Sequence, residues 1–354
     1  MTKNRLYIFS NTILKQKDKS IYLESSEELP EDSLFEGEIM LGSGAEELKG
    51  ENKKHIPVEA VDSILTFGTV NFNSRFLYFL SRNEIPLHIF TYSGGYSGSF
   101  MPSSRYVAGK IFISQSTHFL DMEKRLFIAK QFTLAASKNS LSNMKYHNRR
   151  HIDLSVFIEP VEELTLKMEN AGSIQELMGY EGQIKKNYYC AWRYILRNPH
   201  TFTSRVKNPP DNLINSLISY GNMIVYSACL DQIYQTRLYP EIGFLHEAGD
   251  SKLSLSYDIA EIFKPLITDR VIFKVINKGI ITENDCFVKD NKCIIKKEAK
   301  KKFVEEFEIK FRSTLTPEGE NRSRSYCSLI RQECYKLIEH LEGINQYESY
   351  ISRW

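Results

Sequence analysis

The stretch SIQELMGYEGQIKKNYYCAWRYILR, residues 173–197, predicts a long helix that packs one face into a core. Ser173 and Glu176 have the spacing of a capping box, which starts a helix. Apolar side chains then recur at helical spacing, at Leu177, Ile184, Tyr188, Ala191 and Ile195. Glu181 falls on the same stripe, so the pattern places a carboxylate on the inward face.

A carboxylate on a buried face costs free energy unless its charge is compensated. Glu181 therefore has two interpretations. It forms a buried salt bridge or lies at a partly solvated edge, or it is a metal ligand on which other His, Asp or Glu side chains converge. The helix by itself leaves both open.

The composition is that of a globular protein with 354 residues, 42% hydrophobic and 25% charged, which is long enough for two domains. No apolar run is expected to span a bilayer, and the first residues are too polar for a signal peptide. The six cysteines form no Cys-x-x-Cys pair, which argues against zinc. Reduced thiols in the cytoplasm are the expected state.

The net charge of +2 conceals a strong segregation of charge along the chain. Residues 24–47 hold nine acidic side chains and no Lys or Arg, and form an acidic, solvated excursion. Residues 124–151 hold seven Lys or Arg, and residues 182–210 hold six, in both cases without an acid. These two basic windows suggest a path for a polyanion beside Glu181.

The fold class predicted is α+β, with a β-rich N-terminal domain at 1–102 and a larger α-helical domain at 103–354. The glycine-rich segment YSGGYSGSFMP, residues 92–102, marks the boundary and lacks the lysine of a phosphate-binding loop. The N-terminal part is expected to contain the strands Arg5–Ser10, Ser20–Leu23, Val61–Phe67 and Leu87–Phe90, with one helix at Asn71–Arg82.

The second part is predicted to be helical, apart from a hairpin at Phe287–Ile295 that turns at Asp290-Asn291. Asp211 can cap one helix, Ser254 or Ser256 can cap another, and Pro265 is expected to end the latter. The helices predicted are Lys110–Ser137, Val156–Asn170, Leu213–Gln232, Leu255–Lys264, Lys297–Phe311 and Arg324–Leu341.

Three further candidates for chemistry follow the long helices. His246 lies in a short loop, and Asp258 and Glu261 are three residues apart on the next helix. Carboxylates with an imidazole suit Mg²⁺ or Mn²⁺, with positions left for water and phosphate oxygens, whereas zinc would recruit more His or Cys. By itself His246 is more often a hydrogen-bonded loop histidine than a ligand.

Three C-terminal motifs resemble those of the CRISPR adaptation integrase family, the Cas protein numbered one. They are GYEGQIKKNYY around Glu181, NPPDNLINSLISYGNMIVYS, and GFLHEAGDSKLSLSYDIAEIFKP with His246. YIFSN at 7–11 and YSGGYSGSFMP resemble the N-terminal domain of that family, in the variant that accompanies type I systems. The resemblance covers nearly the full length and implies a β-sandwich-like domain followed by a helical catalytic domain.

The resemblance also implies the roles of particular residues. Glu181, His246 and Glu261 would be the catalytic metal ligands, for Mg²⁺ or Mn²⁺, with Glu261 standing where some relatives have Asp. Asp258 would assist catalysis without being a firm ligand. Asn215 matches a recurrent motif position, where a buried hydrogen-bonded amide is at least as good an interpretation. Alanine at any of the three ligand positions is expected to abolish activity and leave the fold intact.

The activity implied is metal-dependent DNA cleavage and the insertion of short foreign DNA into the CRISPR array by transesterification. The partners implied are double-stranded DNA, a second copy of the chain paired through its N-terminal domain, and the small ferredoxin-like Cas protein numbered two, with no membrane. Lys185, Lys186, Arg193 and Arg205 are the candidates for DNA phosphate contacts, and some are expected to be only solvated flanks. Two alternatives stay open: a general repair nuclease for branched DNA, and an inactive DNA-binding scaffold.

Overall fold

The computed structural model describes residues 3–25, 39–41, 53–91, 94–102, 109–150, 152–197, 202–249, 253–316 and 322–352. Most of the acidic excursion predicted at 24–47 lies outside these ranges. The chain divides into two compact units. Unit 1 comprises Met1–Arg105 and Ile295–Ile309, and unit 2 comprises Tyr106–Ile294 and Lys310–Trp354. The structure thus groups 295–309 with the N-terminal strands, although the sequence placed that segment in the helical domain.

Unit 1 is built on two sheets. Its described residues contain the strands β1 Asn4–Ile8, β2 Thr12–Lys17, β3 Ser20–Ser25, β4 Ile39–Leu41, β5 Lys53–Pro57, β6 Val61–Thr66, β7 Val70–Phe72, β8 Leu87–Phe90 and β9 Tyr96–Phe100. One sheet has the order β4-β1-β6-β8-β9, with β1, β6 and β8 parallel and both edges antiparallel. The other has the order β5-β3-β2-β7. Every strand predicted from the sequence is present within one or two residues.

The core of unit 1 draws apolar side chains from both sheets and from helix α1, Ser74–Arg82. Leu6 and Ile64 come from the first sheet, Leu14 and Ile21 from the second, and Phe76 from the helix. This layering confirms the sandwich-like expectation. The predicted helix Asn71–Arg82 begins later, because Asn73 caps it by accepting from the Phe76 N–H and 70–72 pairs as a strand.

Unit 2 is mostly helical. Its long helices are α2 Gly109–Leu120, α3 Met122–Asn148, α4 Ser155–Glu169, α5 Ile174–Ile195, α6 Leu213–Tyr234, α7 Ser254–Phe263, α8 Arg270–Asn277 and α10 Tyr326–Leu341, while α9 Lys297–Arg312 starts in unit 1. Short strands form two hairpins, β10 Cys286–Lys289 with β11 Lys292–Ile295, and β12 Thr314–Leu315 with β13 Arg324–Ser325. Asp290 and Asn291 have positive φ, as the predicted two-residue turn requires.

Two local expectations about unit 2 are wrong in detail. The helix predicted at 110–137 breaks at Asp121, whose carboxylate caps α3 by accepting from the backbone N–H groups of Glu123 and Lys124. Asn212 rather than Asp211 caps α6. A third expectation is confirmed: α7 stops at Phe263, before Pro265, and a π-helix, Pro265–Asp269, begins at a position where the missing N–H of proline is not needed.

Helix α6 also corrects the expectation that no segment could cross a bilayer. By length and composition it could, with a mean hydropathy of 1.3 over its most apolar window. However, 78% of that window is buried inside the protein, which is the mark of a core helix in a folded domain.

Candidate active site

Lys185 joins two of the sequence-predicted site residues, all of which lie in unit 2. Its ammonium forms an ion pair with the Glu181 carboxylate one turn earlier on α5. The same nitrogen lies 3.0 Å from Oε2 of Glu261 on α7. The structure thus brings Glu181 and Glu261 to one point, and the salt-bridge interpretation of Glu181 is present in it.

Glu261 is buried and has a second cation. Nζ of Lys264 lies 2.6 Å from Oε1 of Glu261 and 4.6 Å from the centre of the Tyr226 ring. Burial alone would raise the pKa of Glu261, but the charges of Lys185 and Lys264 outweigh it and hold that pKa far below its usual range. Glu261 is therefore ionised near neutral pH. Lys264 was not singled out from the sequence, although its i,i+3 spacing from Glu261 was a usable signal.

Asp258 holds the loop that carries His246. It is fully buried and accepts hydrogen bonds from the backbone N–H groups of Phe244, Leu245 and His246, at 2.6, 3.0 and 3.1 Å. Its Oδ1 also lies 2.6 Å from Nδ1 of His246. A carboxylate with four donors favours the tautomer in which Nδ1 carries the proton, so Nε2 keeps its lone pair.

Gly243 makes this loop possible. A Cβ there would lie 2.7 Å from Oδ2 of Asp258 and 2.9 Å from the backbone carbon of Ser254, closer than real Cβ atoms approach. Its N–H donates to Oγ of Ser254 at 2.8 Å, and that hydroxyl donates to the Glu241 carbonyl. Ser254 was predicted as a helix cap, and Ser256 as its alternative. Neither caps α7; the Ser254 hydroxyl fastens the loop instead.

The chemical types of the candidate ligand atoms suit a hard divalent cation. Glu181 and Glu261 offer carboxylate oxygens, and His246 offers Nε2, an imidazole nitrogen. Burial lowers the pKa of His246, but the hydrogen bond and charge of Asp258, with the charge of Glu261, raise it above its ordinary value. Within the described residues, however, no three His, Cys, Asp or Glu side chains are close enough to hold a metal ion. The ammonium of Lys185 stands between the two carboxylates.

The first basic window, 124–151, is largely paired with acids from other segments. On α3, Lys138 and Lys145 pair with Glu169 and Glu162 of α4, two turns apart on both helices. Arg125 pairs with Glu247, and Lys124 pairs with Asp121. Lys130 donates to the backbone carbonyl of Glu169. The absence of acids along the sequence therefore does not make this window a free cationic surface.

The second basic window, 182–210, holds exposed cations on α5. Lys186 and Arg193 are exposed and seven residues apart, so they lie on one side of the helix. Arg205 differs, because its guanidinium donates to the Val206 carbonyl, to the backbone and side-chain oxygens of Asn215, and to Oγ of Ser219.

Asn215 is the partner that fixes this loop to α6. It is fully buried, and its Nδ2 donates to the Ser204 carbonyl at 3.0 Å and to Oδ1 of Asp211 at 2.8 Å. The buried hydrogen-bonded amide considered from the sequence is what the structure contains.

Known proteins resemble this chain in both sequence and fold. The family model described as CRISPR associated protein Cas1 matches residues 6–309. A CRISPR-associated endonuclease Cas1 from Fusobacterium nucleatum is 39% identical, over 99% of this chain and 97% of that protein. The solved structure of a CAS1 protein from Thermotoga maritima is 33% identical with a TM-score of 0.80, covering 98% of this chain and 99% of that one. The chain belongs to the Cas1 family.

Two more distant structures share the fold. A casposase bound to integration product has a TM-score of 0.82 at 19% identity, over 97% of this chain and 92% of that one. A chain of a Cas6-RT-Cas1–Cas2 complex has a TM-score of 0.77 at 17% identity, over 98% of this chain and 36% of that one. At these identities the likeness concerns the fold alone.

Proposed function

We propose that this protein is the metal-dependent DNA endonuclease and integrase of CRISPR adaptation, which inserts short foreign DNA into the repeat array. Family membership supports the nuclease and integrase class. The observation that carries the proposal is the meeting of Glu181 and Glu261 in one ionic cluster, while Asp258, on the same helix as Glu261, holds His246. Carboxylates and an oriented imidazole are the donor set of a phosphoryl-transfer metal site.

The proposed reaction exchanges one phosphodiester for another. The 3′-hydroxyl oxygen of the incoming DNA attacks phosphorus at a repeat end, and the bond from phosphorus to the 3′-oxygen of the repeat strand breaks. The hydroxyl proton goes to solvent and the departing oxygen is protonated. Because one phosphodiester bond replaces another, no nucleoside triphosphate is consumed. When water attacks instead, the same centre cleaves DNA. No residue of the chain forms a covalent intermediate.

Each site residue would have a role that follows from its position. Glu181, Glu261 and Nε2 of His246 would hold Mg²⁺ or Mn²⁺, which stabilises negative charge on the reacting phosphate. Asp258 keeps His246 in the required tautomer. Lys186 and Arg193, exposed on α5, would contact the DNA backbone and fix its position without reading sequence.

The protein would act with three partners. Duplex DNA is the substrate, a second copy of the chain pairs through unit 1, and the small ferredoxin-like Cas2 bridges the pair in the cytoplasm. Support comes from the family and from the fold that this chain shares with a chain of the Cas6-RT-Cas1–Cas2 complex.

The test is integration of a short duplex into a repeat-bearing plasmid by the purified protein, with and without the Cas2-type partner. We expect insertion in Mg²⁺ or Mn²⁺, none in EDTA, and none with Glu181→Ala or His246→Ala. Glu163→Ala is the matched control, since it removes an exposed carboxylate whose pair with Lys167 lies on the surface of α4.

Three results would contradict the proposal in different ways. Full activity of folded Glu181→Ala or His246→Ala would show that these residues do not form the active site. Undiminished turnover in EDTA would show that the reaction does not depend on a metal ion. Cleavage of branched DNA without insertion, even with the partner present, would favour the repair nuclease instead.

A further inference from the structure

Two lysines and two glutamates form a charge-balanced cluster at the proposed metal site. Lys185 touches both Glu181 and Glu261, and Lys264 touches Glu261 only. The carboxylates are therefore already neutralised by side chains of the chain itself. A divalent cation added to this cluster would raise its charge to +2 in a half-buried environment, where like charges repel strongly.

The two lysines differ in how firmly they are held. The Lys264 side chain is 12% exposed and also lies over the Tyr226 ring, whereas the Lys185 side chain is 34% exposed. Lys185 is thus the cation that can rotate into solvent when another cation takes its place.

We infer that Lys185 is a built-in counter-ion that exchanges with the metal and, once released, contacts a phosphate of the bound DNA. This inference rests on the proposed metal site. In the metal-free protein the ammonium bridges the two carboxylates and prevents their mutual repulsion. With metal bound, the same ammonium turns toward the substrate backbone beside Lys186. Metal and DNA then favour each other's binding, since each takes one side of the broken ion pairs.

The first test is Mn²⁺ affinity, measured by calorimetry on the full chain stripped with EDTA. Lys185→Gln removes the competing cation and should bind Mn²⁺ about fivefold tighter or more. Lys186→Gln removes the same charge from the adjacent exposed position and should change the affinity much less. Lys185→Arg keeps the charge and should leave the affinity at or below that of the wild type.

The outcomes separate this inference from the proposed function. If Lys185→Gln binds Mn²⁺ no tighter than Lys186→Gln does, the exchange is overturned. Binding of Mn²⁺ by Lys185→Arg that is tighter than by the wild type would also overturn it, and this result does not require that Lys185→Gln folds. Glu181→Gln must weaken Mn²⁺ binding in otherwise wild-type protein. If it does not, the metal site itself fails, and the exchange fails with it.

The second test is the salt dependence of DNA binding, by fluorescence anisotropy in EDTA and at constant Ca²⁺, a cation that takes oxygen ligands. Lys185→Gln should leave the log–log slope unchanged in EDTA and make it shallower by about 0.9 in Ca²⁺. The effect of Lys186→Gln should not depend on the cation. An equal effect of Lys185→Gln in both conditions, or none in either, would overturn the transfer to phosphate.

Discussion

Oδ1 of Asp258 lies 2.6 Å from Nδ1 of His246, and the same carboxylate accepts three backbone N–H groups of the loop that carries the histidine. One buried side chain thereby sets both the path of the loop and the proton position on the imidazole. Asp258 is a positioning residue for the site, because it acts through His246.

Asp258→Asn should therefore lower metal affinity about 10- to 100-fold while the ligand side chains remain. An amide presents an N–H₂ group to donors that it cannot satisfy, so the free energy of unfolding should also fall, by roughly 1–3 kcal/mol. Mn²⁺ titration and urea unfolding measure the two effects. Loss of activity should be smaller than for His246→Ala, and an equal loss would mean that Asp258 is itself a ligand.

The pH dependence of the site should have two opposite parts. Burial alone would lower the pKa of His246, but the hydrogen bond and charge of Asp258 raise it above its ordinary 6.5. Protonated His246 paired with Asp258 therefore stabilises the fold fully below the unfolded pKa near 6.5, and this contribution is lost as pH rises through the higher folded value. Metal binding needs neutral Nε2, so metal affinity rises over the same interval.

Urea unfolding in EDTA and Mn²⁺ titration, each across that pH range, check these signs. His246→Gln should flatten the stability difference between the acid and neutral sides of the range. Metal affinity that rises on acidification would contradict the assignment of His246.

Local signals in the sequence predicted much of this structure. Ser173 caps α5 and accepts from the Glu176 N–H, while the Glu176 carboxylate accepts from the N–H of Gly172 rather than of Ser173. The five apolar residues of the α5 stripe are all buried. The turn residues Asp290 and Asn291 likewise specify their hairpin, since few residues adopt positive φ.

Contacts between distant segments could not be predicted in the same way. The first basic window looks free of acids because its partners, Glu162 and Glu169, lie on another helix. By sequence Lys185 is a candidate for a DNA phosphate contact, and only the tertiary packing of α7 brings Glu261 to it. The sequence shows which residues are charged, but which of them pair depends on the tertiary structure.

The lysines at Glu261 change what alanine should do at that position. Glu261→Ala leaves Lys264 buried without its carboxylate and takes one partner from Lys185, so the free energy of unfolding should fall by about 3–5 kcal/mol. Glu181→Ala leaves Lys185 paired with Glu261 and should cost less than about 1 kcal/mol. Urea unfolding in EDTA measures both. Equal stability of the two variants would show that the Lys264 pair contributes little, and would restore the expectation of an intact fold.

The last prediction concerns the exposed cations of α5. Lys186 and Arg193 lie on one side of the helix, whereas Lys15 in unit 1 is paired with Glu24 at 2.9 Å. If both α5 residues touch phosphate, Lys186→Gln with Arg193→Gln should make the log–log salt plot of duplex binding shallower by nearly two units, about 0.9 for each contact. The affinity should fall similarly for different sequences, because backbone contacts carry no sequence information.

The matched control is Lys15→Gln with Lys17→Gln, which removes the same total charge from a strand of unit 1. It should leave the slope nearly unchanged, since a net-charge effect alone acts at long range and is screened within about 10 Å at 0.1 M salt. Fluorescence anisotropy over a range of salt concentrations gives both slopes. Equal effects from the two pairs would mean that bulk charge governs binding, and the DNA path along α5 would have to be abandoned.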